Sequence, residues 1–220
     1  MPDYRWRHNN YRHPALRAAF NMSTLTPGGL MKNMTGDSTF DATINGTLVL
    51  ANPLIKCKTT KCMDLDGATN WLALANPLNS LTNWSAMFWV NFDGVNSVEC
   101  SSSANMFLQG RAAIGAPACQ CVALLAGYTP PYKALTVASR TYFVAFTHDS
   151  TNLVTIYLDG RFYMRGVLGA TPADANANIG RYITGASNYT NGRLDNMLFY
   201  NVALTPSQIN SIYRSANPRM

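Results

Sequence analysis

The sequence predicts an all-β protein, a two-sheet antiparallel jelly-roll sandwich with one short C-terminal helix. Three observations carry this. Short runs of alternating apolar and polar residues recur between turn signals along the chain. Charged residues are only 13%, about half the usual share, and the strong helix formers are scarce: five Lys and one Glu stand against 22 Asn and 15 Gly, which suit turns. A length of 220 residues fits one all-β domain and can bury a sizeable core without covalent staples.

In chain order, residues 15–22 read as a first strand, followed by a turn-rich stretch at 24–46. A second strand is expected at 46–51. Residues 62–66 and 70–75 read as a short hairpin about Gly67. Residues 84–92 form a strong strand, with Ala86, Phe88, Val90 and Phe92 on one face and Met87, Trp89 and Asn91 on the other. Segments 105–109, 119–126, 141–148, 152–158, 161–166, 177–182 and 192–200 complete the set. Asp159-Gly160 between two such runs signals a type I′ hairpin, whose central residues both need φ > 0. The helix is announced by Thr205 as N-cap, Pro206 in its first turn, Gln208 at the capping-box position, and Ile209 and Ile212 as an apolar stripe.

The net charge is +6, and Arg5, Arg7, Arg12 and Arg17 less Asp3 put half of it (4 − 1 = 3) in the first seventeen residues. Two regions follow: a basic aromatic arm at 1–14 and a domain at 15–220. In the arm, Arg5, Trp6, Arg7, Tyr11 and Arg12 suit contact with other protein subunits, because Arg, Tyr and Trp favour interfaces. Nucleic acid is the lesser alternative, through phosphate and base stacking. No secretory signal and no run approaching a membrane span is present, so no membrane insertion is expected. Five cysteines, Cys57, Cys62, Cys100, Cys119 and Cys121, do not make a disulfide framework, and C-x4-C with C-x-C is a poor zinc signature. Five N-x-[ST] sequons, at Asn21, Asn33, Asn45, Asn83 and Asn188, are no more than this many Asn, Ser and Thr produce by chance.

Residues 62–67 (CMDLDG), 84–90 (WSAMFWV), 144–149 (VAFTHD), 154–160 (VTIYLDG), 178–182 (NIGRY) and 192–213 (GRLDNMLFYNVALTPSQINSIY) occur in the order seen in laminin-G-like domains. The chain thus resembles the concanavalin A-like lectin/glucanase superfamily over roughly residues 15–213, best from Thr141 onward. It departs from the family at Thr141, Tyr142 and Phe143, where Trp-His-His is common. The resemblance implies a jelly roll that binds glycans, proteins or calcium. It also implies a structural calcium site on the convex side at Asp195, with Asn21 as a candidate partner. Asp64 and Asp66 would belong to the family's turn, and Trp89 to its core.

The chemistry of the residues argues against an enzyme. Polysaccharide hydrolysis needs two carboxyls flanking the bond, and Glu99, in a Val-Glu-Cys-Ser loop, is the only Glu. No serine nucleophile elbow and no phosphate loop occurs. His8 and His13 lie in the arm, and His148 reads as a packing residue. Candidate ligand-binding residues are the loop groups Tyr128, Tyr132, Tyr182, Asn188, Tyr189 and Asn191, which pair aromatic platforms with hydroxyl-binding amides. Trp71 and Trp84 receive no assignment. No cofactor is required, and a structural calcium is an optional addition. The expected function is that of a non-enzymatic structural protein, a virus-particle component (capsid-associated or fibre) held by its arm, since the chain resembles stand-alone copies in large DNA viruses and phages. The alternative is a lectin-like carbohydrate-binding module dependent on calcium. A virion location accompanies the first reading.

Overall fold

The structure, a computed structural model, describes residues 13–21, 25–26, 29–51, 61–92, 97–100, 106–111, 122–124, 140–167, 176–180 and 191–216. Two sheets stack face to face, each with eight strands among the described residues. The first contains β1 (Leu16–Phe20), β5 (Val49–Ala51), β6 (Cys62–Asp66), β8 (Trp84–Phe92), β12 (Thr141–His148), β13 (Leu153–Leu158), β14 (Arg161–Val167) and β16 (Asn191–Tyr200). Its order is β14-β13-β12-β8-β16-β6-β5, with β1 also on β16, and every pair is antiparallel. The second contains β2 (Leu25–Thr26), β3 (Leu30–Met31), β4 (Ala42–Asn45), β7 (Trp71–Ala75), β9 (Ser97–Cys100), β10 (Met106–Arg111), β11 (Val122–Leu124) and β15 (Asn176–Ile179), in the order β11-β9-β10-β15-β7-β4-β3-β2. Most of its pairs are antiparallel as well; β10/β15 and β9/β11 are parallel.

Alternation puts one set of side chains between the sheets. Ala86, Phe88 and Val90 of β8, Val144 and Phe146 of β12, and Leu72 and Leu74 of β7 share this core. The opposite face of the first sheet presents Met87, Trp89, Phe143 and Tyr157 to helix α1 (Pro206–Ala216), which closes a second cluster with Ile209 and Tyr213. The helix begins as its sequence demands: Thr205 Oγ1 accepts from the Gln208 amide, and Gln208 Oε1 accepts from the Thr205 amide at 2.8 Å. Asp159 and Gly160 both have positive φ, 50° and 74°, as the hairpin turn requires.

Three local expectations are corrected. The segments flanking Gly67 do not pair with each other; β6 lies in the first sheet and β7 in the second, so the Asp66–Asn70 turn crosses between layers. Glu99 stands in strand β9, opposite Gln109, and not in a loop. Residues 24–46 hold the short strands β2, β3 and β4, each too brief to display an alternating pattern.

Candidate functional site

The crossing turn organises one end of the sandwich. Asp66 Oδ1 accepts from the amides of Ala68 at 2.9 Å, Thr69 at 2.7 Å and Asn70 at 3.2 Å, and Oδ2 accepts from the Thr69 hydroxyl. Burial opposes its ionisation, but the Thr69 hydroxyl and these amides prevail and bring its pKa to about 2. Asn70 completes the clamp: its Oδ1 accepts from the Asp66 amide, and its Nδ2 donates to the carbonyls of Asp64 and Thr47. Gly46 approaches so closely that a Cβ there would lie 2.4 Å from the Thr69 carbonyl oxygen. The family's turn aspartate is therefore a structural group.

Immediately after this clamp comes Trp71. Leu72 and Leu74 point into the core, so Trp71 and Ala73 lie on the outer face of the second sheet, both partly exposed. Asn45 stands opposite Trp71, while Thr43 and Asn178 flank Ala73 on either side. An indole, two carboxamides and a hydroxyl thus surround a small alanine floor. No described helix covers this face, whereas α1 covers the outer face of the first sheet. Trp71 was left unassigned on sequence; the signal available was its alternation with Leu72 and Leu74.

Of the loop candidates, Tyr128, Tyr132, Tyr182, Asn188 and Tyr189 lie outside the described residues, as do Arg5, Trp6, Arg7, Tyr11 and Arg12 of the arm. Asn191 opens β16 opposite Asp66, and β15 stops at Ile179 opposite Leu72.

The backbone register sets Asn21 one residue past the Phe20–Met197 pair, and Asp195 two residues before Met197 on β16. On one flank of β16, pairing with β6 runs to Leu194, and pairing with β1 begins at Met197. The neighbour changes at Asp195 and Asn196, where β16 also bulges against β8 and Asn196 adopts φ 52°. Asn21 follows Phe20, the partner of Met197, and is buried beside this changeover. Asp195 is fully buried. Among the described residues no group of three or more His, Cys, Asp or Glu is placed for a metal. A cation here would draw on one carboxylate with amide and carbonyl oxygens, donors that suit calcium. Burial and the nearby Asp195 charge push the Cys62 thiol up to about 11, so at neutral pH it is a buried, protonated thiol.

The remaining candidates are structural. Trp84, Trp89 and His148 are buried, Trp89 between Phe143 and Tyr213 with ring centroids at 5.3 and 5.7 Å. Asn33 of the second sequon is buried with its side-chain amide fully engaged, so no glycan can attach there in the folded protein.

No curated protein matches the chain by sequence. Solved structures do match in shape. Domain 4 of AbnA, a GH43 extracellular arabinanase from Geobacillus stearothermophilus solved with arabinotriose, superposes with a TM-score of 0.63 at 19% identity, covering 90% of this chain and 98% of that domain. The receptor-binding domain of botulinum neurotoxin C/D mosaic serotype gives a TM-score of 0.60 at 10% identity, and covers 91% of this chain and 51% of its own. The binding domain of botulinum neurotoxin DC in complex with SialylT gives 0.61 at 9%, covering 92% and 51%. The chain thus spans about half of each toxin domain. At such identities these likenesses establish the fold. The family is established independently, because residues 66–210, from the clamping aspartate to the C-terminal helix, match the Laminin_G_3 model. The chain belongs to the concanavalin A-like lectin/glucanases superfamily.

Proposed function

We propose that this chain is a non-catalytic carbohydrate-recognition module whose ligand rests on the outer face of the second sheet around Trp71. The observation that carries the reading is the juxtaposition of Trp71 with Asn45, Thr43 and Asn178 about Ala73. A sugar's C–H face stacks on an indole, and its hydroxyls pair with carboxamides that both donate and accept. The Asp66–Asn70 clamp fixes the strand that carries the indole, so little ordering remains to be done on binding. Tyr182, Asn188, Tyr189 and Asn191 would contribute from the adjoining connection, and Tyr128 and Tyr132 from theirs. Two structural relatives, one solved with arabinotriose and one with SialylT, support the same reading. A calcium at Asp195 and Asn21 would be structural, since these residues lie on the first sheet and Trp71 on the second. The test is a glycan array with the purified chain, with and without calcium. Reproducible binding to a defined sugar, lost in Trp71→Ala, supports the reading; silence on every sugar overturns it.

A second reading, as a component of a virus particle held by its arm, is favoured by one observation. Leu16 pairs with Tyr200, and His13 meets the Tyr200 ring edge-on at 5.6 Å. The chain therefore enters the sandwich at the end opposite Trp71, where an arm would leave the sugar face clear. Deleting residues 1–14 should then abolish assembly while sugar affinity is retained.

A further inference from the structure

We infer that the Trp71 face takes an uncharged saccharide; this rests on the sugar-binding reading above and narrows its ligand class.

The argument is the distribution of charge between the two sheets. Strands β2, β3, β4, β7 and β15, which make up one side of the second sheet, contain no Asp, Glu, Lys or Arg. The charges nearest this side are Lys32 and Asp41, one residue beyond the β3/β4 pair, and they neutralise each other in an ion pair at 2.7 Å; Glu99 on β9 and Arg111 on β10 lie beyond β15. The first sheet carries Arg17, Asp64, Asp66, Arg161, Arg165, Arg193 and Asp195 on its strands. The protein is basic overall, at +6, yet among the described residues no cation stands in the rows that hold Trp71, Ala73 and their partners.

An anionic sugar makes a specific demand on such a face. Moving its carboxylate or sulfate out of water is costly unless a cation or several strong donors replace the lost hydration. Asn45, Thr43 and Asn178 offer neutral groups that match hydroxyls, each able to donate and to accept. Asn178 is already buried, at 6% exposure, so Thr43 and Asn45 are the members of this set that face solvent. Ala73 between Thr43 and Asn178 leaves room for a ring to lie close to the backbone. This combination favours a neutral ring and disfavours a charged one.

The experiment presents neutral and acidic glycans together on an array, then follows hits by titration at low and high salt. Lactose and sialyllactose, which differ by the acidic sugar, and arabinotriose serve as soluble probes. The expected result is binding confined to neutral sugars, with affinity changing less than about twofold between 0.05 and 0.5 M salt because no ion pair is screened. Trp71→Ala should weaken it at least about tenfold, and Trp71→Phe should keep most of it. Ala73→Arg, which fills the floor and keeps the indole, should block it while the thermal transition remains cooperative. Binding restricted to acidic sugars and lost at high salt would overturn the inference but leave carbohydrate recognition standing. Neutral-sugar binding unchanged in both Trp71→Ala and Ala73→Arg would overturn the placement on this face. No binding to any glycan would remove the underlying reading itself.

Discussion

The imidazole of His148 lies flat on the indole of Trp84, ring centroids 5.3 Å apart and planes 16° from parallel, across the β12/β8 pair. His148 Nδ1 faces the Thr82 carbonyl oxygen at 2.9 Å, so Nδ1 carries the proton and Nε2 the lone pair. Nε2 is buried and has no hydrogen-bond partner among the described residues.

This geometry predicts an acid-labile core. Burial lowers the His148 pKa below 6.5, against the opposing effects of the Thr82 carbonyl and the neighbouring Asp149. The folded state therefore favours neutral His148, and the unfolded chain binds the proton first. Its contribution is complete above about pH 6.5 and declines as pH falls through that value toward the folded pKa. A second decline follows between 3.8 and about 2, as Asp66 gives up its depressed pKa. Urea midpoints measured from pH 7.5 to 2 should show both. His148→Phe should flatten the upper decline and keep the lower. If the two proteins trace the same curve, His148 is not the titrating group.

Calcium should stabilise the protein through Asp195. The buried carboxylate at the strand changeover is the only described Asp on β16, and Asn21 lies beside it. With calcium at 100 times its Kd, one native site adds about 2.7 kcal/mol, and the melting temperature should rise accordingly. Asp195→Asn should melt at one temperature in calcium and in EDTA. A wild-type transition indifferent to EDTA and to added calcium would dismiss the site.

Asn33→Ala should be among the more damaging polar substitutions. Asn33 Oδ1 accepts from the amides of Ala19 at 2.9 Å and Thr35 at 3.2 Å, while Nδ2 donates to the Thr35 hydroxyl and the Asp37 carbonyl. This one side chain ties β1 to the segment that leads into β4. Truncation strands a buried amide at Ala19, for a cost of about 2–3 kcal/mol. Denaturant unfolding measures it, and a loss below about 0.5 kcal/mol would contradict the role.

Two glycines separate backbone strain from crowding. Gly36 and Gly160 both have positive φ, 89° and 74°. A Cβ on Gly36 meets nothing within 4 Å, whereas one on Gly160 would lie 2.9 Å from Tyr213 Cδ1 and 3.1 Å from Asn210 Nδ2. Gly36→Ala should cost about 1 kcal/mol, and Gly160→Ala about 2–3 because α1 must also shift. Equal losses in paired chemical melts would show that the helix yields freely at this point.

The long strands could be read from sequence because they alternate strictly against two apolar layers. In β8, Ala86, Phe88 and Val90 enter the inter-sheet core and Met87 and Trp89 pack under α1, as expected. What failed was information that alternation does not contain. Gly67 and Asp66 announce a bend, but the same bend serves a hairpin or a crossing between sheets, and only the position of Leu72 and Leu74 relative to β6 decides. Glu99 sits in a four-residue strand flanked by serines, with no periodic run to betray it. Trp71 was undecided because a lone tryptophan at a strand start suits core and surface alike. The loop tyrosines Tyr128, Tyr132, Tyr182 and Tyr189 lie outside the described residues.

The position of β16 constrains how the molecule is made. It occupies the middle of the first sheet, bonded to β8 on one side and to β6 and β1 on the other, yet it comprises residues 191–200. While those residues are still inside the ribosome, β8 has an unfilled edge and β1 has nothing to pair with. The emerging chain must hold open apolar edges until residues 191–200 have left the ribosome, and then join segments some 180 residues apart, from Leu16 to Tyr200. Such a sheet closes slowly, and chaperone demand should fall on that interval.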